Sequence, residues 1–161
     1  MTIEQYTADY EREVALFNRR LREAGVEFQF PENATPAWLP RLNNRHIYQE
    51  YFVATEDGRV VYGGYILKHQ NFLLGEEIAP IGDYQLPLSE GIISEQYKLI
   101  GLQLLYHALN RQPMLYALGM GGIGRPLPLF LKRMKWDLCE IPFYFRILKP
   151  FRFLRNIRTL R

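Results

Sequence analysis

LPLSEGIISEQYKLIGLQLLYHAL, residues 86–109, is the stretch on which the fold turns. Its first part reads as the end of a strand, closing near Glu90, and a glycine-bearing loop follows. From Tyr97 to Asn110 the pattern is helical, with Leu99, Leu102, Leu105, Tyr106 and Leu109 on one side. A loop that opens a helix carries unpaired N–H groups and the positive end of the helix dipole, which suits a phosphate. Gly101 lets a ligand approach closely, and Lys98 adds a charge for a diphosphate. Ser94 is also a good N-cap. A helix begun there would put Gly101 in the second turn and draw its phosphate donors from residues 95–97, so two registers stand open.

Working outward, the residues from Ala8 to Ala24 form a helical pattern, with Tyr10, Val14, Phe17 and Leu21 on one face and Gly25 as its C-cap. Val26–Phe30 alternates like a short strand. An irregular connection rich in proline and asparagine follows, with a short helix expected within Ala37–Leu42. His46–Thr55 and Arg59–His69 read as strands joined by the hairpin signal Asp57-Gly58. Leu73–Gly91 reads as further antiparallel strand, interrupted at Gly75 and at Gly82-Asp83. Past the helix come a compact apolar strand at Met114–Leu118, a short helix at Pro126–Met134 and a last strand region at Trp136–Leu148. That order predicts a mixed α+β fold, with a mostly antiparallel central sheet and flanking helices.

The bulk properties agree with one domain over residues 1–148 and a short tail over 149–161. Of 161 residues, 48% are hydrophobic and 23% charged, a globular balance. The single cysteine, Cys139, excludes an internal disulfide, and no Cys/His cluster has zinc spacing, so no metal is expected. The N-terminal MTIEQYTADYEREV lacks the apolar run of a signal peptide, and no stretch reaches the roughly 20 apolar residues of a membrane span, which points to the cytoplasm. The net charge of +3 is unevenly placed. Six Lys/Arg and no acid lie from Arg146 onward, leaving 14 basic and 17 acidic residues before it. The basic balance belongs to the tail, and nucleic acid is not expected as a partner. Phe151, Phe153, Leu154, Ile157 and Leu160, set among four arginines, suit an anionic membrane surface, a second domain or a second subunit.

Lys98-Leu99-Ile100-Gly101-Leu102-Gln103, followed by Leu104-Leu105, resembles the pyrophosphate loop of the GNAT superfamily of acyl-CoA N-acyltransferases, Gln/Arg-x-x-Gly-x-Gly/Ala before a leucine-rich helix. Lys98 keeps the charge of the first position and Gly101 the central glycine, while Gln103 replaces the small last residue. Met114–Leu118, Phe130–Met134 and Trp136 occupy the places of the strand, short helix and aromatic that follow in that family, so the resemblance runs from about Asn44 to Leu148. GGYILKHQ and LYALGMGG are similar to bacterial GNAT-like proteins associated with polysaccharide biosynthesis. The resemblance implies a splayed strand pair, acetyl-CoA or another acyl-CoA as co-substrate, and direct transfer to an amine-bearing acceptor. It places the cofactor along Leu88, Ser89, Lys98, Leu99, Ile100, Gly101, Leu102 and Gln103, with backbone N–H groups at the strand end polarising the thioester carbonyl. Leu131 stands where many members have a tyrosine acid, and Lys135 where they usually have glycine. The missing tyrosine and the imperfect pyrophosphate motif favour the rival reading, a non-catalytic binding or structural module of the same fold.

Three titratable residues fall nearest the expected splay. Glu90 and His69 are candidates for the base that takes the acceptor's proton, and Tyr116 for a proton donor. Each has a plainer alternative: a solvated strand-end carboxylate, an exposed strand histidine, and a tyrosine packed in the core. Ser89 serves either a ligand or a turn. Gly119-Met120-Gly121-Gly122-Ile123-Gly124, with Glu140 farther on, matches a dinucleotide fingerprint literally. The short proline-rich helix after it and its place near the chain's end argue instead for a loop over the acceptor cleft.

Overall fold

The computed structural model describes residues 1–35, 47–119, 122–142, 144, 146, 148 and 149. The elements are β1 (Thr2–Gln5), α1 (Glu11–Glu23), β2 (Tyr48–Glu56), β3 (Val60–Leu74), β4 (Glu77–Ser89), α2 (Ile100–Arg111), β5 (Leu115–Tyr116) and α3 (Pro126–Arg133). Short 3-10 turns lie at Ala8–Tyr10, Glu90–Ile92 and Glu95–Tyr97. The chain divides into two compact units, Met1–Leu118 and Gly119–Arg161. The helix expected within Ala37–Leu42, His46 and the tail Phe151–Arg161 lie outside the described residues.

In the first unit the five strands form one sheet in the order β1-β2-β3-β4-β5. The first three pairings are antiparallel and the last, β4 with β5, is parallel. The Asp57-Gly58 hairpin forms as read, both residues taking the left-handed backbone that this turn requires. Beyond β4 the chain must cross over to run parallel, and α2 makes that crossover. One sheet face buries Val14, Phe17 and Leu21 of α1 against Tyr51, Val53, Val61, Ile66 and Leu88. Across the sheet, Leu104, Leu105 and Ala108 of α2 and Tyr65, Leu67 and Tyr84 are buried.

Gly25 ends α1 as expected. With φ +83 it lets its own N–H reach the Arg22 carbonyl (3.0 Å) and the Val26 N–H reach that of Leu21 (2.9 Å). Four sequence expectations differ from the structure. Thr2–Gln5, for which no element was expected, is an edge strand paired with β2. Val26–Phe30 is not a strand. The Asn18 side chain replaces the strand partner, donating to the Phe30 carbonyl and accepting from the Phe30 N–H, each at 2.8 Å. Gly82-Asp83 does not interrupt β4; Gly82 is there for packing, since a Cβ would meet Gln112, Leu115 and Leu67 side chains at 2.8–2.9 Å. Residues 136–142, 144, 146 and 148 carry no strand.

The second unit holds α3. Its end is a Schellman closure, with Lys135 N–H on the Lys132 carbonyl and Trp136 N–H on that of Leu131, both 3.0 Å. Lys135 takes φ +63 there, a conformation glycine adopts at less cost. No helix among the described residues is long and apolar enough to cross a membrane.

Candidate active site

β4 and β5 share only two register pairs, Gly82↔Leu115 and Asp83↔Tyr116, while β4 runs on to Ser89 without β5 beside it. The sheet therefore forks after Asp83. Past the fork β4 bulges: Gly64 faces Leu88 and Ile66 faces Gln85, so one residue of β3 opposes two of β4. Leu86 in the bulge takes φ +46, unusual for a leucine. Gly63 makes room for this region. A Cβ on Gly63 would lie 2.9 Å from the Leu88 carbonyl and 3.0 Å from the Ile100 side chain.

The chain then turns through two 3-10 turns into α2, whose N-cap is Leu99 and whose first residue is Ile100. The later of the two helix registers is the one formed. Ser94 precedes the Glu95–Tyr97 turn instead, and makes no side-chain cap bond. The first intrahelical bond runs from the Gln103 N–H to the Leu99 carbonyl (3.1 Å). The amides of Ile100, Gly101 and Leu102 precede that bond, as the first donors of a helix do. Gln103 is thus less able to offer its backbone. Gly101 faces buried Ser89, and an added Cβ would come no closer than 3.9 Å to the Ser89 hydroxyl oxygen. Lys98, exposed, stands just before the helix with its ammonium 3.4 Å from Glu95.

The three acid–base candidates are not brought together. Glu90 is buried and paired with Arg20, whose Nε lies 2.5 Å from its carboxylate and whose second nitrogen donates to the Val61 carbonyl at 2.7 Å. His69 sits on the α2 side of the sheet. Its Nε2 is 2.7 Å from Glu50, which also holds Arg111 at 2.5 Å, and its ring stacks on Tyr48 at 4.3 Å. Tyr116 alone lies at the fork. Burial first, and then the neighbouring Asp83 carboxylate, push its hydroxyl up to about 12, so it stays protonated at neutral pH. The Gln70 amide donates to it.

Asp83 was passed over in the sequence as a turn residue. It is 4% exposed, its Oδ2 accepts from Gln85 at 2.6 Å, and burial raises its pKa above the ordinary carboxylate range. An aspartate at a buried position of a strand was the available signal.

Leu131 is fully buried and apolar, and has no proton to give. The glycine-rich stretch leads into α3, only eight residues long, and the sheet is a meander instead of the doubly wound parallel sheet of a dinucleotide domain. Met120 and Gly121 lie outside the described residues. Among the described residues no cluster of His, Cys, Asp and Glu is arranged to hold a metal.

A five-stranded mixed sheet, forked at its parallel pair with a helix opening beside the fork, defines a GNAT-like α+β fold. Solved acetyltransferases share it. A predicted acetyltransferase from Clostridium acetobutylicum, solved with acetyl-CoA, matches with a TM-score of 0.58 at 13% identity, over 91% of this chain and 96% of its own. An aminoglycoside N-acetyltransferase in complex with CoA gives 0.56 at 11% identity, over 91% and 98%. A ribosomal-protein-alanine N-acetyltransferase from Brucella melitensis gives 0.54 at 12% identity, over 92% and 100%. No protein-family model and no curated protein sequence matches the chain.

Proposed function

We propose that this protein moves an acyl group from acetyl-CoA or another acyl-CoA to an amine-bearing acceptor. The cofactor's diphosphate lies against the amides of Ile100, Gly101 and Leu102 beside Lys98, and its pantetheine arm runs along Leu88 and Ser89 toward the fork. Gly101 carries this reading. Glycine inside a helix costs about 1 kcal/mol relative to alanine. The fold gives no steric reason for it, because an added methyl group would meet nothing closer than 3.9 Å. A ligand that needs the backbone bare supplies the reason. The narrower likeness to polysaccharide-associated proteins rests on GGYILKHQ and LYALGMGG alone.

Calorimetric titration with CoA tests the site. Gly101→Glu puts bulk and a like charge in the path of the phosphates, and affinity is expected to fall at least 100-fold with the circular dichroism spectrum unchanged. Gly124→Ala is the control; its Cβ would meet open space and its φ is ordinary, so CoA affinity should stay within twofold. Normal CoA binding by folded Gly101→Glu would refute the assignment. A second reading, binding without turnover, is favoured by Leu131 and by the engagement of Glu90 with Arg20. CoA binding without transfer to any amine would select it.

A further inference from the structure

Among the described residues two carboxylates are buried, Asp83 and Glu90, and they are treated differently. Arg20 neutralises Glu90. Asp83 forms no ion pair among the described residues, and no protein group there donates to its Oδ1. Leaving a buried acceptor unpaired is costly, and more so when it is charged. A fold seldom keeps such a group without a use for it.

The surroundings show what would fit. Asp83 and Tyr116 are the last register pair before the fork. Around them runs a chain of amide side chains: Gln85 donates to Asp83 Oδ2, Gln49 donates to Gln85 at 3.1 Å, and Gln70 donates to the Tyr116 hydroxyl. Among the described residues Lys68, opposite Asp83 on β3, is the cation near enough to bias it, and only as a lesser influence than burial. Strand alternation puts Asp83 and Gln85 on the face that carries Ile66, the side covered by α1. The site is thus a polar patch on the sheet face whose core against α1 is apolar. Among the described residues no donor lies within hydrogen-bond distance of Asp83 Oδ1, the Tyr116 hydroxyl bears on the carboxylate as the least of the influences on it, and no cation pairs with it.

We propose that Asp83 is the carboxylate that receives the acceptor's protonated amine and then takes a proton from it, so that the acceptor is a primary ammonium compound reaching the fork from the α1 face. This rests on the acyl-CoA reading and deepens it. The ammonium fills the missing hydrogen bond of Oδ1 and supplies the missing counter-charge. Its transfer of one proton to Asp83 frees the nitrogen lone pair. Nitrogen attacks the thioester carbonyl carbon, the C–S bond breaks, and the second nitrogen proton ends on the departing thiolate. The products are the amide, the free thiol and protonated Asp83, which returns its proton to solvent. Burial suits Asp83 to this task, since it makes the carboxylate a stronger base than an exposed one. Tyr116 holds the other side of the fork as a neutral donor.

The test uses the full chain labelled with 13C at aspartate carboxyls, the Asp83 resonance being identified by its loss in Asp83→Asn. Titration with ethylammonium chloride, with CoA present, should move the Asp83 resonance to saturation; tetramethylammonium chloride, which has no N–H, should not. In parallel, thiol release from acetyl-CoA with a panel of primary amines should fall at least 100-fold in Asp83→Asn, with CoA affinity within twofold of the parent. An Asp83 resonance indifferent to ethylammonium overturns the proposal, as does amine acetylation undiminished in Asp83→Asn. Should the parent bind no CoA, the acyl-CoA reading fails, and the ethylammonium titration still decides the role of Asp83.

Discussion

Asp83 and Glu90 differ in what has been set beside each of them, and stability should report the difference. Burial raises the Asp83 pKa in the folded chain above its unfolded value. The folded state therefore holds its proton over a pH window in which the unfolded state has already lost it. Stability falls as pH rises through that window, from the ordinary aspartate range up to the raised value. Asp83→Asn removes the titrating group and should flatten this part of the profile. Urea denaturation between about pH 4 and pH 7 measures it, and identical slopes in parent and variant would contradict the assignment of the shift. At this scale the sequence was informative where chemistry is local. Gly101 and Lys98 could be singled out because a bare backbone and a charge beside a helix start are local features, and the structure does set them at the start of α2. Asp83 was hidden because its meaning comes from Tyr116, a partner on a strand that joins the sheet only after α2 has crossed over. Glu90, weighed as a base against a solvated strand end, is buried and ion-paired, which the sequence could not show for a similar reason: Arg20 is remote in sequence and reaches it only once α1 is packed on the sheet.

At the scale of elements, ends were easier to read than partners. The cap at Gly25 and the hairpin at Asp57-Gly58 depend on backbone torsions that a few neighbouring residues dictate. Strand identity depends on what lies alongside. Val26–Phe30 has the alternation of a strand, yet its last residue bonds to a side-chain amide of α1. β1 is too polar to stand out as a strand and is one because β2 offers it an edge. The end of α3 gives a prediction of its own. Lys135 sits at the position of the Schellman closure that favours glycine, with φ +63. A left-handed conformation costs a non-glycine residue roughly 1–2 kcal/mol, partly offset by the greater freedom glycine has when unfolded. Lys135→Gly is therefore expected to stabilise the chain by about 0.5–1 kcal/mol. Thermal denaturation of the two forms checks this, and a lower midpoint in the variant would show that the lysine side chain contributes more than its backbone costs.

On the scale of the whole molecule, the sheet order repeats the chain order, which is why the antiparallel meander was legible from turn signals alone. The fork was not: it arises because β5 is short and parallel, a fact about crossover that no local pattern encodes. Charge is the other property of the whole, and it can be argued from the sequence without reference to placement. Deleting residues 151–161 removes four arginines and no acid, and takes the net charge from +3 to −1. Near an anionic bilayer each arginine contributes about 1 kcal/mol, so four contribute about 4 kcal/mol, roughly a thousandfold in partitioning. Phe151, Phe153, Leu154, Ile157 and Leu160 add apolar area to the same segment. The full chain is expected to float with vesicles containing phosphatidylserine at low salt, and to be released at about 0.5 M salt, where the Debye length shrinks to a few ångströms. The chain lacking residues 151–161 should stay in the soluble fraction under both conditions. Sedimentation mass and thermal stability of the two forms separate the other uses of the tail. A loss of mass on deletion would assign it to a second subunit. A loss of stability at constant mass would assign it to packing on the chain itself. Flotation, mass and stability that are all unchanged would show that these four arginines and five large apolar residues serve none of the three.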